Sequence, residues 1–260
     1  MGHMHHFSAG WVSPVLAYAM ACVGSALGLR CTVRALAADG RSRRNWLLTA
    51  SIAIGSGIWT MHFIAMLGFG VTGTPIRYDV PLTLLSLLVA MAVVGAGVFT
   101  VGYGRARLRS LLLGGLGTGV GVAAMHYLGM AAMRLHGHVG YDLGLVVLSD
   151  VISAAASTAA LWAALNVRGA AGAAIASLVM GVAVTSMHYT GMAAVRIDLA
   201  PSRAPLPGAT PMEFIFPLTV VLGSFLFLTV AFVALSPTAR ERAAAASAQT
   251  FHEAELPLSP

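Results

Sequence analysis

The chain has 260 residues, of which 58% are hydrophobic and only 9% are charged. Soluble domains carry roughly a quarter charged residues, so this composition excludes an ordinary soluble fold and indicates a polytopic membrane protein. The net charge is +6 at pH 7, but every basic residue is an arginine, and the arginines lie in short segments between apolar runs. This distribution is typical of membrane topology, and we expect no binding of nucleic acid.

Seven apolar runs are long enough to cross a bilayer core of about 30 Å, which takes roughly 20 residues each. Backbone polar groups in lipid must be paired within their own segment, so the sequence predicts helices rather than strands. The predicted fold class is an all-α membrane protein with seven transmembrane helices. The predicted spans are 12–34, 46–69, 81–102, 110–133, 143–165, 172–195 and 213–235.

The arginines also predict how the chain is oriented in the membrane. Most of them fall on one side, which the positive-inside rule makes cytoplasmic: Arg30, Arg34, Arg41, Arg43, Arg44, Arg105, Arg107, Arg109, Arg168, Arg240 and Arg242, against Arg77, Arg134, Arg196 and Arg203. Residues 1–11 and the loop 197–212 are then outside a cell membrane, and the tail 237–260 is cytoplasmic. No basic segment or cleavage site precedes the first apolar run, so we expect a retained helix.

A six-residue motif occurs three times, as MHFIAM at 61–66, MHYLGM at 125–130 and MHYTGM at 187–192. Its histidines, His62, His126 and His188, are 64 and 62 residues apart, which is one helical hairpin per repeat. The chain crosses the membrane twice between copies, so all three copies reach the same side at similar depth. We therefore predict a layer of three histidines toward the outer leaflet.

Methionines surround each of these histidines. The second methionine of each motif follows its histidine by four residues and shares its helical face, while the first lies about 100° around the helix. Imidazole and thioether groups form a soft ligand set that suits copper, particularly Cu(I), whereas zinc usually brings cysteine or carboxylate. The predicted metal ligands are the histidines with Met61, Met66, Met125, Met130, Met187 and Met192.

Each motif also has a simpler interpretation. A membrane histidine can hydrogen-bond to a neighbouring helix, and methionine often fills a core. Three copies at one depth favour ligand or redox use of the histidines, because polar groups are costly in hydrocarbon.

Hairpin geometry predicts residues next to the histidine layer. Reflecting each histidine through the following loop places Ser86 at the depth of His62 and Asp150 at the depth of His126. Asp150 could orient His126 or offset a cation's charge; alternatively, it is a packing carboxylate. Two further acidic residues follow tyrosines and are predicted to cap helices rather than bind metal: Asp79 and Asp142.

At these residues the chain resembles the MHYT family of bacterial membrane sensors, whose name-giving motif is intact at 187–190. The similarity runs through GSGIWTMHFIAMLGF, YDLGLVVLSDVISA and MGVAVTSMHYTGMAAVR, within about residues 12–196. It implies three two-helix MHYT repeats in a six-helix sensor domain, followed by a seventh helix at 213–236. It also implies copper bound near the outer face by motif Met, His and Tyr residues, including Tyr127 and Tyr189, and sensing of oxygen, carbon monoxide or nitric oxide. The first copy departs from the motif at Phe63 and Ile64.

The output of such a sensor is expected to lie elsewhere. Family members are often fused to cyclic-di-GMP enzymes or histidine kinases, whereas 24 residues follow residue 236 here. We therefore expect a separate cytoplasmic signalling protein as partner. No nucleophile elbow, phosphate loop or pair of catalytic carboxylates is apparent, so we predict no enzyme activity.

Two other functions remain open from the sequence. A haem-binding electron-transfer protein could use two facing histidines as axial ligands, although the CxxCH sequence of c-type haem is missing. A copper-handling protein or transporter would need a continuous polar path, which the apolar inner halves of the motif helices do not favour. The N-terminal MGHMHHF could bind metal or could have no function.

Overall fold

The structure is a computed structural model that describes residues 4–6, 10–167, 169–200, 202 and 204–236. The predicted tail, most of the N-terminal tract and four of the arginines used for orientation (Arg168, Arg203, Arg240 and Arg242) lie outside these residues. The helices are α1 (Val12–Leu36), α2 (Gly40–Leu67), α3 (Val80–Tyr103), α4 (Arg107–Ala131), α5 (Leu143–Asn166), α6 (Gly169–Ala193) and α7 (Phe216–Leu235). A π-helical turn at Pro211–Ile215 precedes α7. Seven helical segments are long and apolar enough to span a membrane, which confirms the predicted fold class.

The start of α2 differs most from the prediction. The helix begins at Gly40, six residues before the predicted span, and includes three arginines in its first turns. Arg43 donates to the carbonyl of Ala38 at 2.8 Å and to Asp39 at 3.1 Å, so these turns are anchored to the preceding loop. Hydropathy detects only the apolar part of a helix, and this helix continues beyond that part.

Six of the helices form a ring. Helix α1 packs against α2 and α6, α3 packs against α2 and α4, and α5 packs against α4 and α6. Backbone contact through glycine permits this packing: a Cβ added to Gly24 would lie 2.9 Å from Cα of Gly57. Helix α7 packs outside the ring against α1 and α2.

Short strands follow the ends of the motif-bearing helices α2, α4 and α6. We call this the motif end of the bundle. Each pairing is antiparallel and two-stranded: β1 (Met4–His6) with β2 (Phe69–Val71), β3 (Arg77–Tyr78) with β4 (Met133–Arg134), and β5 (Gly137–Tyr141) with β6 (Val195–Leu199). Strand β6 and the π-helical turn occupy part of the segment expected to be a loop at 197–212.

Two acidic residues cap helices α3 and α5, as predicted. Asp79 accepts from the backbone N–H of Leu82 in α3 at 3.0 Å and from Arg134 at 2.8 Å. Asp142 caps α5 in the same way and pairs with Arg196. The Asp79–Arg134 pair joins the start of α3 to the segment after α4, and the Asp142–Arg196 pair joins the start of α5 to the segment after α6.

Candidate metal centre

The three motif histidines lie at one level of the bundle. Each stands five residues before the end of its helix, α2, α4 or α6, which is about 7.5 Å of helix rise. His62, His126 and His188 are buried, with at most 1% of each residue exposed. The structure therefore places all three side chains in the protein interior and not against lipid.

The histidine rings converge at their Nδ1 atoms. The Nδ1 atom of His62 lies 3.0 Å from that of His188 and 3.1 Å from that of His126. The ring centroids are 4.9 to 5.1 Å apart, and the planes stand at 81° to 87° to one another. One ring nitrogen from each residue lies within 4.8 Å of the other two. We call this arrangement the histidine cluster.

Hydrogen bonding within the protein does not account for the cluster. A neutral imidazole carries one N–H and one lone pair, so Nδ1 of His62 can complete a hydrogen bond with only one of its two neighbours. Within the described residues, Nε2 of His62 and Nε2 of His126 have no partner. Buried polar atoms are rarely left this way. A cation among the three Nδ1 atoms would use one lone pair from each ring, including the one that hydrogen bonding leaves without a partner, but it would not supply a partner for either Nε2 atom.

The spacing of these atoms is compatible with one small metal ion. Two nitrogens that are each about 2.0 to 2.1 Å from one ion, at a tetrahedral angle, lie about 3.3 Å apart. The Nδ1 separations of 3.0 and 3.1 Å are close to this value. The residues present therefore fit a metal ion held by three imidazoles.

Glycine brings the helices close to two of the rings. A Cβ added to Gly129 would lie 2.5 Å from Nε2 of His62, and one added to Gly191 would lie 2.5 Å from Nε2 of His126. Both glycines follow their own motif histidine by three residues, and the first copy has Ala65 at this position. Gly129 and Gly191 were not predicted from the sequence, although a glycine at this position in two of the three copies was a usable signal.

The six motif methionines, Met61, Met66, Met125, Met130, Met187 and Met192, belong to the same buried core and are at most 5% exposed. Each lies one residue before or four residues after its motif histidine on the same helix. Their role as ligands stays a prediction.

An aromatic ring packs edge-on against each histidine. The residue after the histidine supplies it: Phe63 at 4.6 Å between ring centroids, Tyr127 at 4.9 Å and Tyr189 at 5.0 Å. The hydroxyl of Tyr127 also lies 2.7 Å from Oγ of Ser149. These aromatic residues therefore fix the ring positions by packing, including the phenylalanine of the first copy.

The structure places Ser86 one step away from the cluster. Its hydroxyl accepts a hydrogen bond from Nε1 of Trp59 at 2.9 Å and donates to the carbonyl of Thr83 at 2.6 Å. Trp59 lies one turn before His62 on α2. Ser86 thus supports the motif helix through the indole and is hydrogen-bonded to Trp59 rather than to a histidine.

The structure does not bring Asp150 into the histidine cluster. Asp150 lies on the exposed face of α5, and the buried residue beside it, Ser149, is the one that meets Tyr127. Reflection through a loop predicts depth but not helical face, and one residue turns the face by about 100°. Aligning YDVPLTLLS with YDLGLVVLS would have paired Ser86 with Ser149.

A ring of repeated membrane-spanning hairpins around a buried polar cluster defines a multi-pass membrane protein with a site inside the bundle. The family model MHYT, described as a bacterial signalling protein N-terminal repeat, matches residues 55–114, 119–177 and 181–250. The chain therefore belongs to the MHYT family, as its motifs indicated.

The three matched repeats do not cover the same helices as the ring: the matches begin within α2 and run into α7, whereas the ring consists of α1 to α6. The third match runs through α7, whereas α1 precedes the first match. In space, α1 packs between α2 and α6, as α3 and α5 do between their neighbours, and α7 lies outside. The expected six-helix arrangement thus describes the packing, while the sequence match continues into the seventh helix.

Several curated signalling proteins are similar to this chain. The bifunctional diguanylate cyclase/cyclic di-GMP phosphodiesterase MucR of Pseudomonas aeruginosa is 40% identical over 185 residues, 69% of this chain and 27% of that protein. The cyclic di-GMP phosphodiesterase NbdA of the same organism is 39% identical over 176 residues, 65% of this chain and 22% of that protein. The signaling protein YkoW of Bacillus subtilis is 29% identical over 204 residues, 72% of this chain and 24% of that protein. The chain spans about a quarter of the length of these relatives, and no solved structure matches it.

Proposed function

We propose that this protein is a membrane sensor that holds copper at the histidine cluster and responds to a diatomic gas or to redox state. The observation that carries the proposal is the convergence of three buried Nδ1 atoms, with 3.0 and 3.1 Å between neighbours. Membership of a bacterial signalling family supports the sensing role.

His62, His126 and His188 would hold the ion. Copper there would supply a redox-active centre with affinity for oxygen, carbon monoxide or nitric oxide. The buried thioether groups of the motif methionines favour copper over the harder metals. Burial keeps bulk water from the imidazoles, and the edge-on aromatic rings hold them in place.

The haem alternative is less well supported. A porphyrin bound through two histidines must lie between their coordinating nitrogens, but here the rings contact one another directly. An absorption spectrum separates the two cases, because bis-histidine haem gives an intense Soret band and Cu(I) gives almost no visible colour.

The motif end would face outward, and a separate cytoplasmic signalling protein would receive the signal. The arginines at the opposite end support this orientation. MucR and NbdA are named for cyclic di-GMP turnover, which makes an enzyme of that class a reasonable partner to test first by cross-linking in membranes.

Metal analysis of the purified full chain tests the central proposal. His3, His5 and His6 are replaced by alanine throughout, so that the N-terminal tract contributes no copper. We expect stoichiometric copper in this background and its loss when His62, His126 and His188 are also changed to alanine. His138→Ala is the matched control, because His138 is exposed on β5.

Two results would contradict the proposal. One is a correctly folded protein that takes up no copper under reducing conditions, and the other is unchanged copper in the triple histidine variant. Zinc in place of copper would retain the site but reject the redox role.

A further inference from the structure

The ring of helices surrounds a partly open cavity of about 70 Å³ that the proposed metal site does not use. Residues of α1, α2, α3, α4, α5 and α6 line it, so it lies on the axis of the bundle. At one end it reaches Met187, the residue directly before His188.

The cavity lies directly beneath the histidine cluster. Ile58, Val122 and Val184 line it, and each precedes its motif histidine by four residues, which is about one helical turn. We call these three residues the apolar collar. They are buried, with at most 9% of each exposed, and each lies one turn from its imidazole along the helix.

The chemistry of the lining indicates a neutral occupant. None of the described residues that line the cavity is charged, and most are aliphatic. A bare ion would be costly in such surroundings. The polar atoms are hydroxyls of Ser25, Thr32, Thr118, Ser153, Ser157 and Ser177, and three of these donate to backbone carbonyls of the helices.

The hydroxyl of Thr118 also lines this region but has no hydrogen-bond partner within the described residues. Thr118 is 7% exposed, and buried hydroxyls are normally paired. Its Oγ1 packs against Gly97 of α3, two turns below His126, so it is covered by that helix rather than open to the cavity.

Size limits the occupant further. A water molecule needs roughly 10 to 15 Å³ of such volume, so about 70 Å³ holds a few molecules of that size and excludes a drug-sized ligand or a lipid chain. Cavities lined mainly by aliphatic side chains take up small apolar molecules such as xenon, and aliphatic side chains make up most of this lining.

We infer that this cavity is a holding chamber for small neutral apolar molecules, from which a diatomic ligand reaches the histidine cluster through the apolar collar. The inference rests on the proposed function for the identity of the physiological ligand. The chamber itself does not require the metal, so it can be tested without it.

The first test uses xenon and metal-free protein. Crystals of the wild-type chain are pressurised with xenon, and the anomalous signal locates the bound atoms. We expect a xenon site inside the cavity, next to the apolar collar. It should disappear in Ala156→Leu, because Ala156 lines the cavity, and remain in Ala155→Leu, because Ala155 lies on the exposed face of the same helix.

The second test links the chamber to the cluster. In copper-loaded protein, we expect Ala156→Leu to slow carbon monoxide rebinding after flash photolysis several-fold, with Ala155→Leu unchanged. Equal rebinding rates in both variants would overturn the role of the cavity as a route to the cluster.

The two proposals fail in different ways. Wild-type crystals that show only ordered water and no xenon would overturn the chamber, whatever the copper content. Wild-type protein that binds xenon at the expected place but never binds copper would contradict the proposed function and leave the chamber without its diatomic route. The wild-type xenon measurement needs no variant, so a misfolded substitution does not leave the inference undecided.

Discussion

In the second repeat the phenol of Tyr127 meets Ser149 at 2.7 Å, whereas in the first repeat the indole of Trp59 meets Ser86 at 2.9 Å. The two serines are equivalent, because each follows its capping aspartate by seven residues and donates to the carbonyl three residues before it. Nε1 of Trp59 is the donor in the first repeat, and in the second the Tyr127 hydroxyl is the donor when Ser149 gives its proton to the carbonyl of Val146.

The neighbouring aromatic contacts are also equivalent. Phe63 packs edge-on against Tyr78 at 5.9 Å, and Tyr127 packs edge-on against Tyr141 at 5.6 Å. The two repeats thus keep the same aromatic packing and a hydrogen bond from an aromatic side chain to the equivalent serine, although Trp59 makes it in the first repeat and Tyr127 makes it in the second. Phe63 therefore replaces a tyrosine of the motif without loss of the hydrogen bond to the equivalent serine, because Trp59 donates to Ser86 instead.

The largest expected effect comes from filling the space beside a histidine. Gly129→Ala should destabilise the protein by about 1 to 3 kcal/mol, the usual cost of overpacking, and abolish copper binding, because the added Cβ would lie 2.5 Å from Nε2 of His62. Thermal unfolding in detergent and metal content measure both effects.

Gly117→Ala is the matched control on the same helix, since a Cβ there has nothing within 4 Å. It should be neutral or stabilise α4, because alanine is the better helix former. Normal copper content in Gly129→Ala would show that the cluster does not need the close approach of α4.

Trp59→Phe removes the hydrogen bond to Ser86 that the first repeat has in place of the tyrosine–serine bond. It removes the donor to Ser86 and opens space in a fully buried site, so we expect a loss of about 1 to 3 kcal/mol in unfolding free energy.

Adding Phe63→Tyr to that variant sharpens the comparison. A phenol at 63 would occupy the position that Tyr127 has in the second repeat, and it should recover part of the loss. A double variant that is less stable than Trp59→Phe would show that the two repeats are not interchangeable here.

Tyr127→Phe should have a smaller effect of about 0.5 to 1.5 kcal/mol, the net value of one hydrogen bond. Ser149 keeps its bond to the carbonyl of Val146, and the ring still packs on His126. Thermal unfolding measures the loss, and Tyr103→Phe is the control because Tyr103 is exposed.

The smallest effects belong to the two capping aspartates, which are accessible to solvent. Hydrogen bonds from Arg134 and from the backbone of Leu82 lower the pKa of Asp79, and bonds from the backbone of Leu145 and from Arg196 lower that of Asp142. A lowered folded-state pKa means that the stabilisation is complete above the ordinary value of 3.8 and is lost as pH falls through the folded-state value.

The melting temperature should therefore fall as pH is lowered below about 4, and less so in Asp79→Asn or Asp142→Asn. Similar pH dependence in the wild type and both variants would show that these ion pairs contribute little. Comparable shifts for the two single variants would extend the equivalence of the repeats to the motif end.

The sequence predicted the features that depend on hydropathy and period. Apolar runs identified all seven spans, because the bilayer requires a fixed length. Equal spacing of His62, His126 and His188 predicted their common depth. The spans and the common depth of the histidines can both be read from the positions of residues along the sequence, without knowledge of how the helices are rotated.

Features that depend on helical face or on distant pairing were not predicted. Depth alone did not distinguish Asp150 from Ser149. Strand β5 pairs with β6 more than fifty residues away, and such short strands leave little local signal. The contact of Gly129 with His62 joins two helices whose relative rotation no single sequence specifies.

Arg34 connects three helices at the end of the bundle opposite the histidines. It extends from α1, lies over the ring of Trp46 in α2 at 5.0 Å, and donates to the carbonyls of Val233 and Ser236 at 2.8 and 2.9 Å. Helix α2 also carries His62, and residue 236 is where α7 ends. A rotation of α2 about its own axis would therefore pull on the last turn of α7 through one guanidinium group, some two dozen residues before the end of the sequence.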